Sequence, residues 1–162
     1  MKKLITTLLI SALFISTVFC IPANATVTLE NTQTTIELLE NGDYIETVIS
    51  CVTDKKGFDY STYATQTKTG KKTSSYKNSS GTVLWSVSVT GTFSYNGSTA
   101  TCTSKSHSAT SYSSSWSIKS VSSTKSGNSA TANAVATHKT SVASNDYSLS
   151  VTLRCSANGT LS

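Results

Sequence analysis

The sequence predicts an all-β fold, a small antiparallel β-sandwich or partly open barrel built of consecutive hairpins. Three observations carry this. Val83, Trp85, Val87, Val89, Gly91, Phe93 and Tyr95 occupy every odd position of one segment, with Leu84 and hydroxyl residues between them. Tyr147, Leu149, Val151, Leu153 and Cys155 alternate with Ser148, Ser150, Thr152 and Arg154 in the same way. Successive side chains of a strand point to opposite faces, so period-two alternation marks a half-buried strand. Short alternating segments separated by Asn-Gly and Gly-Asn turn signals then give an antiparallel sandwich or barrel.

Taken in order, the chain opens on Lys2-Lys3, an apolar run from Leu4 to Phe19, Pro22, and Ala23-Asn24-Ala25. These are the positive, apolar and small-residue parts of a secretory signal peptide, spanning 1–25 with cleavage between Ala25 and Thr26. The apolar run is short for a spanning helix, which needs about 20 residues. A lipidated Cys20 is disfavoured because Phe19 stands where a lipobox takes a small residue. Secretion to the extracellular side, with possible association with the cell wall, is the expected location, with no transmembrane segment after processing.

Residues 26–41 read as a loose N-terminal arm, since Ile36-Glu37-Leu38-Leu39 is too short for a helix. A single antiparallel β domain is expected over 42–162. Tyr44–Thr53 reads as a strand, Thr62–Lys68 and Lys71–Tyr76 as a hairpin around Gly70, and Lys77–Gly81 as a loop. Gly91, inside the strongest strand, marks a bend or a close approach.

Asn96-Gly97 is the strongest hairpin signal, because both centres of a type I′ turn need positive φ. A two-residue turn there would set Tyr95 opposite Ser98, Phe93 opposite Ala100 and Gly91 opposite Cys102. Trp116 and Ile118 form one apolar face of the next hairpin, and Ala130, Ala132, Ala134 and Ala136 form the other. A one-residue slip inverts every side chain. A three-residue loop with a glycine bulge is therefore preferred, because it brings the alanines beside Trp116 and Ile118.

Cys51, Cys102 and Cys155 remain after processing, and three cysteines cannot all pair within one chain. Register turns Cys102 and Cys155 inward, and the extracellular space permits disulfides. A bond between them would close a loop of about fifty residues, worth about 4 kcal/mol by the chain-entropy argument. Pairings with Cys51 stay open at this point. The Cys102, Trp116, Cys155 order is similar to immunoglobulin spacing, but Leu153 replaces the tyrosine expected before the second cysteine.

A further set of residues carries a family resemblance. It comprises Asn41-Gly42-Asp43-Tyr44, Tyr76–Gly81 with Leu84-Trp85, Gly91–Gly97, Cys102, Trp116, Lys125–Asn128, Leu153-Arg154-Cys155 and Asn158-Gly159. In these, most of the mature chain resembles a group of small secreted proteins of Gram-positive bacteria described only as uncharacterised, domain-of-unknown-function proteins. The resemblance implies secretion, β structure and a Cys102–Cys155 pair, with Cys51 an addition. It implies no activity.

Charge and motifs narrow the function. The net charge of +5 falls to +3 once Lys2 and Lys3 leave, and beyond Tyr60 the only acid is Asp146. Lysines are scattered rather than clustered along one track, which argues against nucleic acid as a partner. Such a weakly basic, hydroxyl-rich surface suits solubility and, secondarily, an anionic wall polymer or a glycan. Asp54 and Asp59 flank Gly57, but Lys55-Lys56 between them spoils a calcium loop. His107 and His138 read as exposed, and no nucleophile elbow, His-Glu-x-x-His or Cys-x-x-Cys occurs. No catalytic residue, metal ligand or cofactor is therefore assigned.

Trp85, Phe93, Tyr95 and Trp116 read as core. Tyr60, Tyr63, Tyr76 and Tyr112 are left for a surface, and Tyr60, Tyr63 and Tyr112 are the candidate surface-binding aromatics. The leading expectation is a secreted, non-catalytic interaction module at the cell surface or wall. A membrane-active toxin or bacteriocin-like effector is the alternative, because alternating hairpins also suit insertion. A secreted hydrolase comes last. An exposed aromatic groove would favour binding, a detachable amphipathic hairpin insertion, and a convergent acid–base pocket catalysis.

Overall fold

The computed structural model describes residues 32–52 and 65–162. Eight antiparallel strands follow one another in it: β1 (Gln33–Leu38), β2 (Tyr44–Val52), β3 (Gln66–Lys77), β4 (Val83–Tyr95), β5 (Ala100–Ser111), β6 (Trp116–Ser126), β7 (Ser129–Lys139) and β8 (Ser144–Arg154). They form a five-stranded sheet in the order β1-β2-β3-β4-β5 and a three-stranded sheet in the order β6-β7-β8. The fold is all-β, two packed sheets of consecutive hairpins forming a sandwich rather than a closed barrel. No helix among the described residues is long and apolar enough to cross a membrane. The signal segment, its Ala25/Thr26 junction, and Tyr60 and Tyr63 lie outside the described residues.

Alternation builds the core as expected. The odd positions of β4 face inward: Trp85, Val87, Val89 and Phe93 are fully buried. Opposite them lies the alanine row of β7, Ala130, Ala132, Ala134 and Ala136, also buried. Methyl-sized side chains let the central strand of the small sheet come close to the indole and phenyl rings of β4. Gly91 serves that close approach, because a Cβ there would meet the Phe93 ring at 2.7 Å and Ala130 at 3.3 Å. The outward faces carry cross-strand hydroxyl pairs, Ser88–Ser108 at 2.8 Å, Thr69–Thr92 at 3.1 Å and Thr131–Thr152 at 2.8 Å. Such pairs are the sheet's own way of satisfying hydroxyls on a half-solvated surface.

Four expectations are corrected. The domain does not begin at Gly42, because residues within the expected arm form β1, paired with β2 from Gln33↔Ile49 to Leu38↔Tyr44. Gly70 is no turn but the interior of β3, paired with Cys51 on one side and Gly91 on the other. Its missing side chain makes room for Leu161, which is 5% exposed and packs over it.

The turn after Tyr95 spans four residues, so Tyr95 pairs with Ala100 and Phe93 with Cys102. Asn96 makes the longer turn stable: its Oδ1 accepts from the Ser98 and Thr99 amides at 3.1 and 2.9 Å. The shift is by two, so Cys102 keeps its inward phase and is 4% exposed.

The β6–β7 turn is the two-residue Gly127-Asn128, with Ser126 opposite Ser129. The required slip comes instead from a bulge between Ile118 and Ser120, which sets Ile118 opposite Ala136 and Trp116 opposite His138. Both devices bring the alanines to the buried face. The bulge does it without lengthening the turn.

The two sheets differ in width, and this shapes the molecule. Strand β8 lies over β3 and β4, and β7 over β4 and β5. Along one side β5 and β6 are tied together: the Cys102 amide donates to the Gly127 carbonyl at 2.8 Å, and Lys125 Nζ to the Thr103 carbonyl at 2.5 Å. Along the other side β1 and β2 extend past β8, and the sandwich is open there.

Candidate functional site

The open side ends in a cleft of about 340 Å³ between the β1–β2 hairpin and β8. Leu39, Ile45 and Leu149 supply its aliphatic lining, and Tyr76, Trp85 and Tyr147 its aromatic one. Glu40, Asn41 and Ser148 add the polar groups. The cleft exists because β8 is the edge of the smaller sheet. Its inward residues grow more exposed toward the β7–β8 turn, from buried Val151 and Leu153 to half-buried Leu149 and Tyr147.

The aromatic residues form one continuous cluster at this end of the sandwich. Tyr76 lies 5.8 Å edge-on to Tyr147 and 5.3 Å from Trp116, and Trp85 stacks on Trp116 at 6.3 Å. Trp116 in turn packs on Tyr147 at 5.0 Å and on His138 at 4.6 Å, the two rings within 12° of parallel. Packing of this kind holds the cleft walls in fixed orientations.

The turn over the cleft is held just as firmly. Its chain closes with Leu39 N donating to Asp43 O at 2.9 Å, and Gly42 turns at φ 85°. The Tyr76 hydroxyl donates to Asp43 Oδ2 at 3.0 Å, and Asn41 Nδ2 donates to the same carboxylate oxygen at 2.8 Å. Burial pushes the Tyr76 phenol above its ordinary range.

One polar group in the cleft wall is unsatisfied. Trp85 is fully buried, and its Nε1–H has no hydrogen-bond partner among the described residues. An unpaired buried donor is costly, about 1–3 kcal/mol.

Placed on this structure, the residues singled out in the sequence fall in different regions. Tyr112 is 62% exposed in the link between β5 and β6 and does not line the cleft. The cleft aromatics are instead Trp85 and Tyr147, which the alternation assigns to the core, and Tyr76. They are inward residues, as alternation says, but they stand where the opposing sheet has run out.

His138 is half-buried against Trp116 rather than free at the surface. His107 Nδ1 lies 2.7 Å from Ser123 Oγ, to which Lys105 Nζ also donates at 2.8 Å. Both His107 and Lys105 are exposed there, so this Ser–His contact lacks the water-excluded setting in which nucleophile activation works. No group of three or more potential metal ligands occurs among the described residues.

Cys102 and Cys155 are both buried, as their inward phase requires, but the expected bond between them is not formed in this structure. Each thiol donates to a nearby carbonyl, Cys102 to Ser104 at 3.3 Å and Cys155 to Ser156 at 3.4 Å. Their amides bind neighbouring carbonyls of one turn, Cys102 to Gly127 at 2.8 Å and Cys155 to Asn128 at 3.0 Å. Burial raises both thiols above their ordinary range. Cys51, on β2 opposite Gly70, is half-buried.

No protein-family model, no curated protein and no solved structure matches the chain.

Proposed function

We propose that the chain is a secreted, non-catalytic binding module that acts at the cell surface or wall, with the aromatic cleft as its ligand seat. The observation that carries this reading is the cleft itself: an open, mostly apolar recess with a few convergent polar groups and rigid aromatic walls. Those are the general attributes of a ligand site.

Turnover finds less support. Among the described residues that line the cleft, Glu40 is the single carboxylate, whereas glycoside hydrolysis in most families uses a pair flanking the bond. Insertion of the β4–β5 hairpin into a membrane would require removing the apolar half of β4, which is the core of the sandwich. Secretion agrees with the signal-peptide pattern and with a buried pair of cysteines that the extracellular space can oxidise.

The test is retention of the secreted protein on purified Gram-positive cell walls. Retention that falls on Tyr147→Ala, with the wall material unchanged in mass after prolonged incubation, supports the reading. Release of soluble wall fragments, or dye leakage from liposomes without wall retention, refutes it.

A further inference from the structure

The cleft's chemistry specifies its ligand more narrowly. Resting on the reading of the cleft as a ligand seat, we propose that it takes an uncharged sugar residue of a glycan rather than a phosphate-bearing wall polymer.

Three observations point to this. First, the half-buried ring of Tyr147 offers apolar surface suited to the C–H face of a sugar ring. Second, Glu40 accepts hydrogen bonds only, while Asn41 and Ser148 can both donate and accept. Such a set serves a ligand rich in hydroxyls.

Third, among the described residues no lysine or arginine lines the cleft. The lysine flanking Tyr76 along β3, Lys77, is engaged with Glu46 at 2.6 Å and lies over the Tyr44 ring. Glu40 in the lining, with Asp43 behind Tyr76, makes the local field negative, which repels phosphate. The weakly basic surface of the protein as a whole therefore does not extend into its aromatic cleft.

The experiment uses the folded protein on an array of neutral glycans (N-acetylglucosamine oligomers, glucans and galactans) beside polyglycerol phosphate. Retention on at least one neutral glycan is expected, surviving salt at about 1 M, where charge is screened within about 3 Å. Tyr147→Ala should weaken it by about tenfold or more. Glu40→Gln, at an exposed turn position that cannot unfold the core, should weaken neutral-glycan binding and leave polyglycerol phosphate unbound.

Retention on polyglycerol phosphate alone, abolished by salt or strengthened by Glu40→Gln, would overturn the sugar assignment and leave the binding-module reading standing. Binding to neutral glycans that both variants preserve would overturn the seat. No retention on any surface would overturn both.

Discussion

The Tyr76 hydroxyl donates a 3.0 Å hydrogen bond to Asp43, joining the middle of the large sheet to the turn that covers its open side. Tyr76 is 4% exposed and touches Trp85, Trp116 and Tyr147. This one phenol therefore sets both the aromatic wall and the roof of the cleft. Tyr76→Phe keeps the ring and removes the bond to a charged acceptor. Urea unfolding should show a loss of about 1–2 kcal/mol, with faster amide hydrogen exchange confined to residues 39–43.

Leu161 and Gly70 are a complementary pair, a side chain filling the space that a missing one leaves. Leu161→Ala should cost about 2–4 kcal/mol by opening a cavity. Gly70→Ala alone should also destabilise, because its Cβ would collide with Leu161. In the Leu161→Ala background the same Gly70→Ala change should be much less harmful. A double-mutant cycle that shows simple additivity would contradict the pairing.

Cys102 and Cys155 reach the two consecutive carbonyls of the Gly127-Asn128 turn, one from each sheet. Oxidation by glutathione disulfide, which takes up the two electrons and two protons the thiols release, should join them and clamp the sheets together. Non-reducing peptide mapping should recover a Cys102–Cys155 pair with Cys51 alkylatable after unfolding. Recovery of Cys51 bonded to either partner would contradict the expected pairing. By the chain-entropy argument the bond adds about 4 kcal/mol at most.

Alkaline pH should destabilise the fold. Cys102, Cys155, Tyr76 and Tyr95 all have raised pKa values, chiefly through burial. The folded protein keeps these protons where the unfolded chain has lost them. Their stabilisation is thus full at lower pH and drains away past about 8.5 for thiols and about 10 for phenols. Lys72 works in the opposite sense: burial, aided by Arg154, lowers its pKa, so its penalty is relieved as pH rises. Urea midpoints should fall from about pH 8 to about pH 10.5, and more steeply in Lys72→Met, which lacks the offsetting relief.

How far the sequence reveals the fold varies with the physics that decides each element. Strand β4 matches its alternation at both ends, Val83 and Tyr95, because a long period-two run fixes phase by itself. The inward phase of Cys102 and Cys155 is legible for the same reason. Local turn chemistry is less decisive. Asn96-Gly97 satisfies a two-residue turn on paper, but the Asn96 side chain caps a four-residue one. Gly70 looks like a turn because its partner, Leu161, lies ninety-one residues away in sequence and only tertiary packing reveals it.

The cleft is the least legible feature. Alternation identifies Trp85 and Tyr147 as inward residues, yet whether an inward residue meets a second sheet or open solvent depends on sheet width. Five strands facing three is a property of the strand order. Nothing within β4 or β8 encodes it.

The most direct test of the central claim is the NMR spectrum of the two indole N–H groups, one from each tryptophan, during titration with solubilised neutral wall glycan. The Trp85 Nε1–H signal should shift and saturate with binding, together with the amides of Glu40, Asn41 and Ser148. Trp116, set behind the wall, should move less. Saturable binding that leaves the Trp85 indole and these amides unmoved, while residues elsewhere respond, would contradict the cleft as the binding site.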